Sequence, residues 1–302
     1  MSLITALFVA LGLFAVYYFV VLARGLKIAR AEGEHLTPTP LALGTGAVTN
    51  FFDTLGIGSF ATTTTIFRST NHVRDEKLPG TLNVGHTVPT FLEAIVFTAL
   101  FKTAIDSATL VEMIIAAVAG AWLGARVFGG WPRRKIQVGM GLALLAAVGI
   151  MFFRQVYGDP AGGELVKLEG TRLIIGLVGN FILGMLMTLG IGLYAPCMIL
   201  ISMLGMSPIA AFPVMMGSCA FLMPVASGNF IKLKSVDLRA SLGLLIGGIP
   251  GVLLAYYVVK SLPLSMLKWL VMVVVVYTAI SMLVAARREK AQPAEGTPAT
   301  EH

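Results

Sequence analysis

The feature that most constrains this chain is a series of apolar runs, most of them about 20 residues long, separated by short loops that carry Lys and Arg. A helix of about 20 apolar residues is long enough to cross the hydrocarbon core of a bilayer. Only 12% of the residues are charged, against about 25% in soluble proteins. The sequence therefore predicts an all-α integral membrane protein with a single membrane domain. Nine apolar segments run over 3–23, 41–67, 79–101, 108–130, 136–153, 172–204, 208–230, 240–260 and 264–286.

Charge and cysteine usage exclude several classes of function. The net charge of +7 comes from basic residues in loops beside the spans, where they set topology, so we expect no nucleic-acid partner. The two cysteines lie inside apolar segments, and no metal-ligand spacing occurs, so we predict neither a disulfide framework nor a metal or cofactor site. The first run lacks a basic region before it and is predicted to be a retained helix.

An internal repeat organises the chain. The sequence TLGIG at 54–58 recurs identically at 188–192, an offset of 134 residues, and Pro-containing pairs recur at nearly the same offset. Together they predict a duplication in which segments two to five correspond to segments six to nine. The predicted organisation is an additional N-terminal helix (1–30), a first repeat (41–153), a second repeat (172–286) and a disordered cytoplasmic tail (287–302).

The distribution of Lys and Arg predicts the topology. Basic loops follow segments one, two, four, seven and nine, whereas the loop after segment six has no basic residue. If all nine segments spanned the membrane, two basic loops would lie outside, against the positive-inside rule. If segments two and six are instead re-entrant hairpins broken at the TLGIG glycines, all five lie in the cytoplasm. We therefore predict seven transmembrane helices plus two re-entrant hairpins, as inverted repeats in a bacterial-type inner membrane, with a cytoplasmic C-terminus.

The broken segments predict an anion site. Glycine-interrupted helices at matching positions of inverted repeats mark transport sites. The second arm of each hairpin would begin near Gly58 or Gly192, where unpaired backbone N–H groups and a positive helix end favour an anion. The alternative is that TLGIG is a helix-packing or kink motif. The predicted substrate contacts in the hairpins are Thr54, Gly56, Gly58, Ser59, Thr62, Thr188, Gly190, Gly192, Tyr194 and Cys197.

Polar residues within apolar segments are expensive and indicate function. Asp53 precedes the first TLGIG, whereas its counterpart before the second is Met187. This asymmetric carboxylate is either a proton-coupling group or a cap for backbone N–H groups. On the third segment, Asn83, His86, Thr90 and Glu93 share one helical face.

From that face we predict that Asn83 and His86 contact the substrate, and that His86 and Glu93 join Asp53 in proton coupling. The alternative for the face is an interhelical hydrogen-bond network around a neutral His86. Cys219 is predicted to serve packing.

Two glycine-rich motifs resemble those of the TauE/SafE sulfite exporter family. The second copy, GIGLYAP at 190–196, fits the family pattern of a Gly-rich stretch followed by a small residue, Pro and a hydrophobic run. The first copy, GIGSFAT at 56–62, has Thr where Pro is common. The resemblance implies export of small sulfur-containing anions such as sulfite or organosulfonates. Protons and the lipid bilayer would be the other partners.

Three other functions compete with a secondary active transporter. A passive anion channel would use the same broken helices. An intramembrane enzyme would use His86 with Asp53 or Glu93, but no nucleophile–base pair stands at a motif spacing. A structural scaffold needs no broken helices. No Walker-type phosphate loop occurs, so ATP is not the expected driver.

Overall fold

The computed structural model describes residues 3–127, 133–157, 163, 165–187 and 193–291. Over these residues the chain is helical, which confirms the predicted all-α class. The α-helices are α1 (Leu3–Ala31), α2 (Pro40–Thr54), α3 (Ser59–Ser69), α4 (Leu78–Leu100), α5 (Ser107–Val127), α6 (Arg133–Tyr157), α7 (Gly170–Met187), α8 (Tyr194–Met203), α9 (Ala211–Lys232), α10 (Leu238–Ser261) and α11 (Leu264–Ala291).

Five of these helices are long and apolar enough to cross a membrane, so the chain is a multi-pass membrane protein. They are α1, α5, α7, α9 and α10. The helix α4 has 23 residues, enough for a span, but its polar face lowers its hydropathy. The helix α7 is among the five, although we predicted it to be one arm of a re-entrant hairpin. The count of seven spans with two re-entrant hairpins stays a prediction.

The second apolar segment is broken at its first TLGIG motif. The helix α2 ends at Thr54 and α3 begins at Ser59, and both Gly56 and Gly58 adopt positive φ angles, +95° and +86°. Glycine reaches this region without the penalty that a Cβ brings. The Thr63 hydroxyl lies 3.1 Å from that of Thr49, so the two arms lie side by side and antiparallel. We call α2, the break and α3 hairpin one.

The sixth segment folds back in the same way. A Cβ placed on Gly179 would lie 2.8 Å from the Leu200 side chain, and one on Gly176 would lie 3.2 Å from that of Leu204. These pairs join the two ends of the segment, so α7 and α8 are also antiparallel. We call α7, the turn and α8 hairpin two. Its TLGIG motif at 188–192 lies outside the described residues.

Each hairpin packs tightly against a helix from the other half of the chain. A Cβ on Gly251 of α10 would lie 2.2 Å from the Ala47 carbonyl oxygen of α2. A Cβ on Gly120 of α5 would lie 1.9 Å from the Phe181 carbonyl oxygen of α7. Ala47 and Phe181 are 134 residues apart, and Gly120 and Gly251 are 131 apart. The two interfaces therefore use positions that correspond under the predicted repeat, which supports the duplication.

The helix directions follow from further contacts. The helix α10 runs in the same direction as α2, since Gly243 meets Ala42 near the start of both and Gly251 meets Ala47 further along. In contrast, α4 and α9 run in opposite directions, because Gly80 lies against Ser235 whereas Thr90 contacts Met223. An opposite direction for this central pair is what an inverted arrangement requires.

The C-terminal boundary differs from the prediction. We expected a disordered tail from residue 287, but α11 continues to Ala291. The alternation of apolar residues ends near Ala286, whereas Arg, Glu and Lys all have good helix propensity and extend the last turn. The rest of the predicted tail, 292–302, lies outside the described residues.

Candidate functional site

The turn of hairpin one touches hairpin two. A Cβ on Gly56 would lie 2.7 Å from the Met198 Cε atom of α8. The positive φ of Gly56 and this close approach both require glycine. The predicted proximity of the two broken segments is therefore seen for the described residues on either side of the second break.

A buried cavity of about 60 Å³ lies where the hairpins meet. A water-sized probe centre needs roughly 10–15 Å³, so the cavity has room for about four water-sized groups, the scale of a small oxyanion. Its walls come from both halves of the chain. The lining residues are Asp53, Ile57, Gly58, Ser59, Phe60, Thr90, Met187, Leu193, Tyr194, Ala195, Cys219, Met223 and Thr278.

The first helix end at the cavity is capped by Asp53. The Ser59 backbone N–H donates to Asp53 Oδ1 at 2.7 Å, and the Ser59 hydroxyl donates to Oδ2 at 3.1 Å. Both residues are buried. This carboxylate neutralises the positive end of α3, so the capping alternative for Asp53 agrees with the geometry. Ser59, a predicted substrate contact, lines the cavity with its donors directed to Asp53.

The second helix end at the cavity has no such cap among the described residues. Leu193 precedes α8 and makes no side-chain capping bond. Tyr194 and Ala195 line the cavity and form the first turn, where backbone N–H groups lack intrahelical acceptors. Met187, the counterpart of Asp53, also lines the cavity. Of the two helix starts at the cavity, the uncapped one is therefore that of α8.

Glu93 joins the two hairpins. Thr54 Oγ1 of hairpin one lies 2.8 Å from Glu93 Oε1, and Tyr194 Oη of hairpin two lies 3.2 Å from Glu93 Oε2. Glu93 is fully buried on α4, directly behind the cavity. One side chain of the first half thus holds the ends of both broken segments.

His86 holds together the arms of hairpin one. Its Nδ1 atom lies 3.0 Å from Asn50 Oδ1 of α2, and its Nε2 atom lies 3.1 Å from Thr63 Oγ1 of α3. The Asn50 amide donates to the Gly46 carbonyl at 2.7 Å, so its oxygen faces the ring and Nδ1 carries a hydrogen. His86 is buried and is not among the lining residues. The geometry favours the network alternative over direct substrate contact.

Other predicted site residues lie away from the cavity walls. Asn83 donates to the Pro79 carbonyl of its own helix at 2.9 Å, and Thr62 bonds to the carbonyl oxygens at the start of α3. Cys197 is buried but does not line the cavity. The predictions on Thr188, Gly190 and Gly192 fall outside the described residues.

Sequence reasoning missed several cavity residues. Cys219, predicted to serve packing, lines the cavity on α9 together with Met223. The repeat carried a signal for them, because α9 corresponds to α4, whose Thr90 also lines the cavity. No pattern pointed to Thr278 of α11.

The electrostatics of the site are unusual for an anion-binding protein. The buried polar residues that the structure describes include Asp53, Glu93 and His86 but no Lys or Arg. Over the same part of the chain, no cluster of His, Cys, Asp and Glu is arranged to hold a metal ion. Backbone N–H groups and hydroxyls are therefore the donors that the described cavity offers to a ligand.

Comparison with known proteins gives one match. The family model described as sulfite exporter TauE/SafE matches residues 172–301, from the start of hairpin two onward. This match confirms the resemblance that the sequence motifs predicted. No curated protein and no solved structure matches the chain.

Proposed function

We propose that this chain, whose residues 172–301 match the TauE/SafE sulfite exporter family, is a secondary active exporter of small sulfur-containing anions. Sulfite or an organosulfonate is the expected substrate, moved by alternating access with proton coupling. The observation that carries the proposal is the small buried cavity between the two hairpins, walled by residues from both halves of the chain. A site between repeats is where secondary transporters bind their substrates.

The anion is expected at the start of α8. The first-turn N–H groups of Tyr194 and Ala195 and the positive helix end favour an oxyanion there. Met187 stands where the first half has Asp53, so no carboxylate competes for this position. The apolar walls from Leu193 and Met223 exclude water and strengthen each hydrogen bond to the anion.

Proton coupling follows from the charges around the cavity. A bound anion would join Asp53 and Glu93, while the described buried residues supply no Lys or Arg. Several negative charges together in a low-dielectric site are strongly unfavourable. Proton uptake by a carboxylate relieves this repulsion, so anion and proton binding should be linked.

The two hairpin interfaces support alternating access. The contact of α2 with α10 and the contact of α7 with α5 use corresponding glycines, so the two halves present similar surfaces to each other. Inverted halves of this kind can exchange conformations between outward and inward states. The antiparallel pair α4 and α9 would form the central contact.

Transport in proteoliposomes tests the proposal. Vesicles loaded with sulfite should take up labelled sulfite in a saturable manner that internal sulfite accelerates, whereas taurine, sulfate and acetate serve as competitors. A passive channel would instead give a non-saturating conductance without this acceleration. An intramembrane enzyme would change the substrate chemically. Absence of sulfite-dependent exchange with every tested anion would overturn the proposed function.

A further inference from the structure

We infer that Glu93 carries the coupled proton and that, when protonated, it fastens hairpin one to hairpin two. This inference deepens the proposed transport function and rests on it. It goes beyond naming three candidate coupling groups, because the hydrogen-bond partners assign different protonation states to Asp53 and Glu93.

The first step is a count of hydrogens at Thr54. Its Oγ1 atom lies 2.7 Å from the Asn50 carbonyl oxygen and 2.8 Å from Glu93 Oε1. A hydroxyl has one hydrogen, and a carbonyl oxygen only accepts. If the Thr54 hydrogen is directed to Asn50, the short contact with Glu93 needs a hydrogen from the carboxyl group. Glu93 Oε1 therefore donates to Thr54.

The second oxygen of Glu93 agrees with this assignment. Tyr194 Oη donates to Oε2 at 3.2 Å, so Oε2 acts as the carbonyl oxygen of a carboxylic acid. In this form Glu93 donates to hairpin one and accepts from hairpin two. All three groups are buried, so water does not replace either hydrogen bond.

Asp53 shows the opposite pattern. Both of its oxygens face donors of Ser59, at 2.7 Å and 3.1 Å, as expected of an ionised carboxylate at a helix start. Asp53 and Glu93 are also close enough to interact electrostatically. Two neighbouring buried carboxyl groups without a cation hold a proton between them. The hydrogen-bond pattern puts that proton on Glu93.

The other titratable groups near Glu93 do not change this balance. Asp53 of α2, Tyr194 of α8 and Cys219 of α9 interact with this site. On α4 itself, His86 is bonded to Asn50 and Thr63. From α1, Tyr18 donates to the Val84 carbonyl at 2.6 Å. The described residues of α3 and α10 place no buried acidic or basic side chain there.

Loss of the proton would release hairpin one. When the Glu93 proton passes to water on the side to which the cavity opens, Oε1 becomes an acceptor. The Thr54 hydrogen remains directed to Asn50, so the 2.8 Å contact becomes repulsive. Hairpin one then separates from α4 and Tyr194, and the walls of the anion cavity move apart. This sequence links the proton to the conformational change.

The test is Glu93→Gln in the full-length protein, in proteoliposomes. The amide nitrogen can donate to Thr54 and the amide oxygen can accept from Tyr194, so glutamine imitates the protonated acid. Sulfite counterflow should stay within about twofold of wild type, since both hydrogen bonds are retained. A pH gradient should drive uphill sulfite movement in wild type but not in the variant. Glu112→Gln, an exposed position on α5, should behave as wild type.

Two results would overturn the inference. One is pH-driven accumulation in Glu93→Gln equal to wild type. The other is an infrared spectrum in which wild type and Glu93→Gln show the same carboxylic acid absorption at neutral pH. The infrared measurement decides the protonation state even if the variant transports poorly. Neither result affects the proposed function, which fails only if wild type shows no anion exchange.

Discussion

The hydroxyl groups of Thr49 and Thr63 lie 3.1 Å apart, although the residues are separated by 14 positions. In a continuous helix, 14 residues span about 21 Å. The contact therefore requires the chain to reverse at the glycines between them. The reversal brings Asp53 to Ser59 at the end of the hairpin and places both beside the cavity.

Cysteines at these two positions should form a cross-link. In a Cys197→Ser/Cys219→Ser background, we expect Thr49→Cys/Thr63→Cys to react with a short thiol-bridging reagent, because the side chains touch. The measurement is protection of both thiols from a later labelling reagent. The control pair, Thr49→Cys/Ser69→Cys, places the second thiol at the far end of α3 and should remain labelled. Equal labelling of both pairs would contradict the hairpin.

Alanine at the interface glycines should destabilise the fold. The added Cβ would lie 2.0 Å from the Leu43 carbonyl oxygen in Gly247→Ala and 1.9 Å from that of Phe181 in Gly120→Ala. Overpacking of this kind costs about 1–3 kcal/mol, measured by unfolding in detergent micelles. The matched control is Gly44→Ala in α2, where nothing lies within 4 Å of the new atom. It should be neutral or stabilising, by up to about 1 kcal/mol. If all three variants were equally stable, the close helix contacts would be wrong.

Removal of the Asp53 charge should strengthen anion binding. Asp53→Asn keeps an oxygen that accepts from Ser59 but removes a negative charge from the cavity wall. We expect sulfite affinity to rise about tenfold, equivalent to about 1.4 kcal/mol, when measured by titration calorimetry. Asp75→Asn removes the same charge from an exposed site and should leave the affinity unchanged. Weaker binding in a folded Asp53→Asn protein would show that the anion does not lie near this carboxylate.

Replacement of His86 should affect stability more than binding. His86→Ala leaves Asn50 and Thr63 without a buried partner, which should cost about 1–3 kcal/mol of unfolding free energy. Sulfite affinity of the folded variant should change little, because His86 does not line the cavity. Asn83→Ala removes only a bond within α4 and should change stability by less than about 0.5 kcal/mol. Loss of sulfite binding in a stably folded His86→Ala protein would restore a direct role for the ring.

Removal of the Tyr194 hydroxyl should weaken the link between α4 and hairpin two. In Tyr194→Phe, Glu93 Oε2 loses its donor, at a cost of about 1–3 kcal/mol because the oxygen stays buried. Sulfite exchange should slow relative to wild type, measured as counterflow in proteoliposomes. Tyr257→Phe, an exposed position on α10, is the matched control. Unchanged exchange in Tyr194→Phe would contradict a role for this contact in transport.

Much of the candidate site could be predicted from the sequence, because a membrane imposes strict local rules. Backbone polar groups must be satisfied at membrane depth, so apolar runs form helices and an interruption needs a protected environment. The repeated TLGIG motif therefore located both breaks, and Ser59 and Tyr194 do lie at the cavity. Asp53 and Glu93 stood out because a carboxyl group in an apolar segment is expensive.

Only the tertiary structure decided which side chains face one another. The sequence treated both helix starts as equal anion sites, but Asp53 folds back onto Ser59 and caps α3, whereas Met187 leaves the start of α8 uncapped. Similarly, Cys219 lines the cavity and Cys197 does not, because the walls come from helices more than 100 residues apart. Local periodicity determines that a segment is a helix and where it breaks. The packing of two halves against each other determines which of its faces meets the ligand.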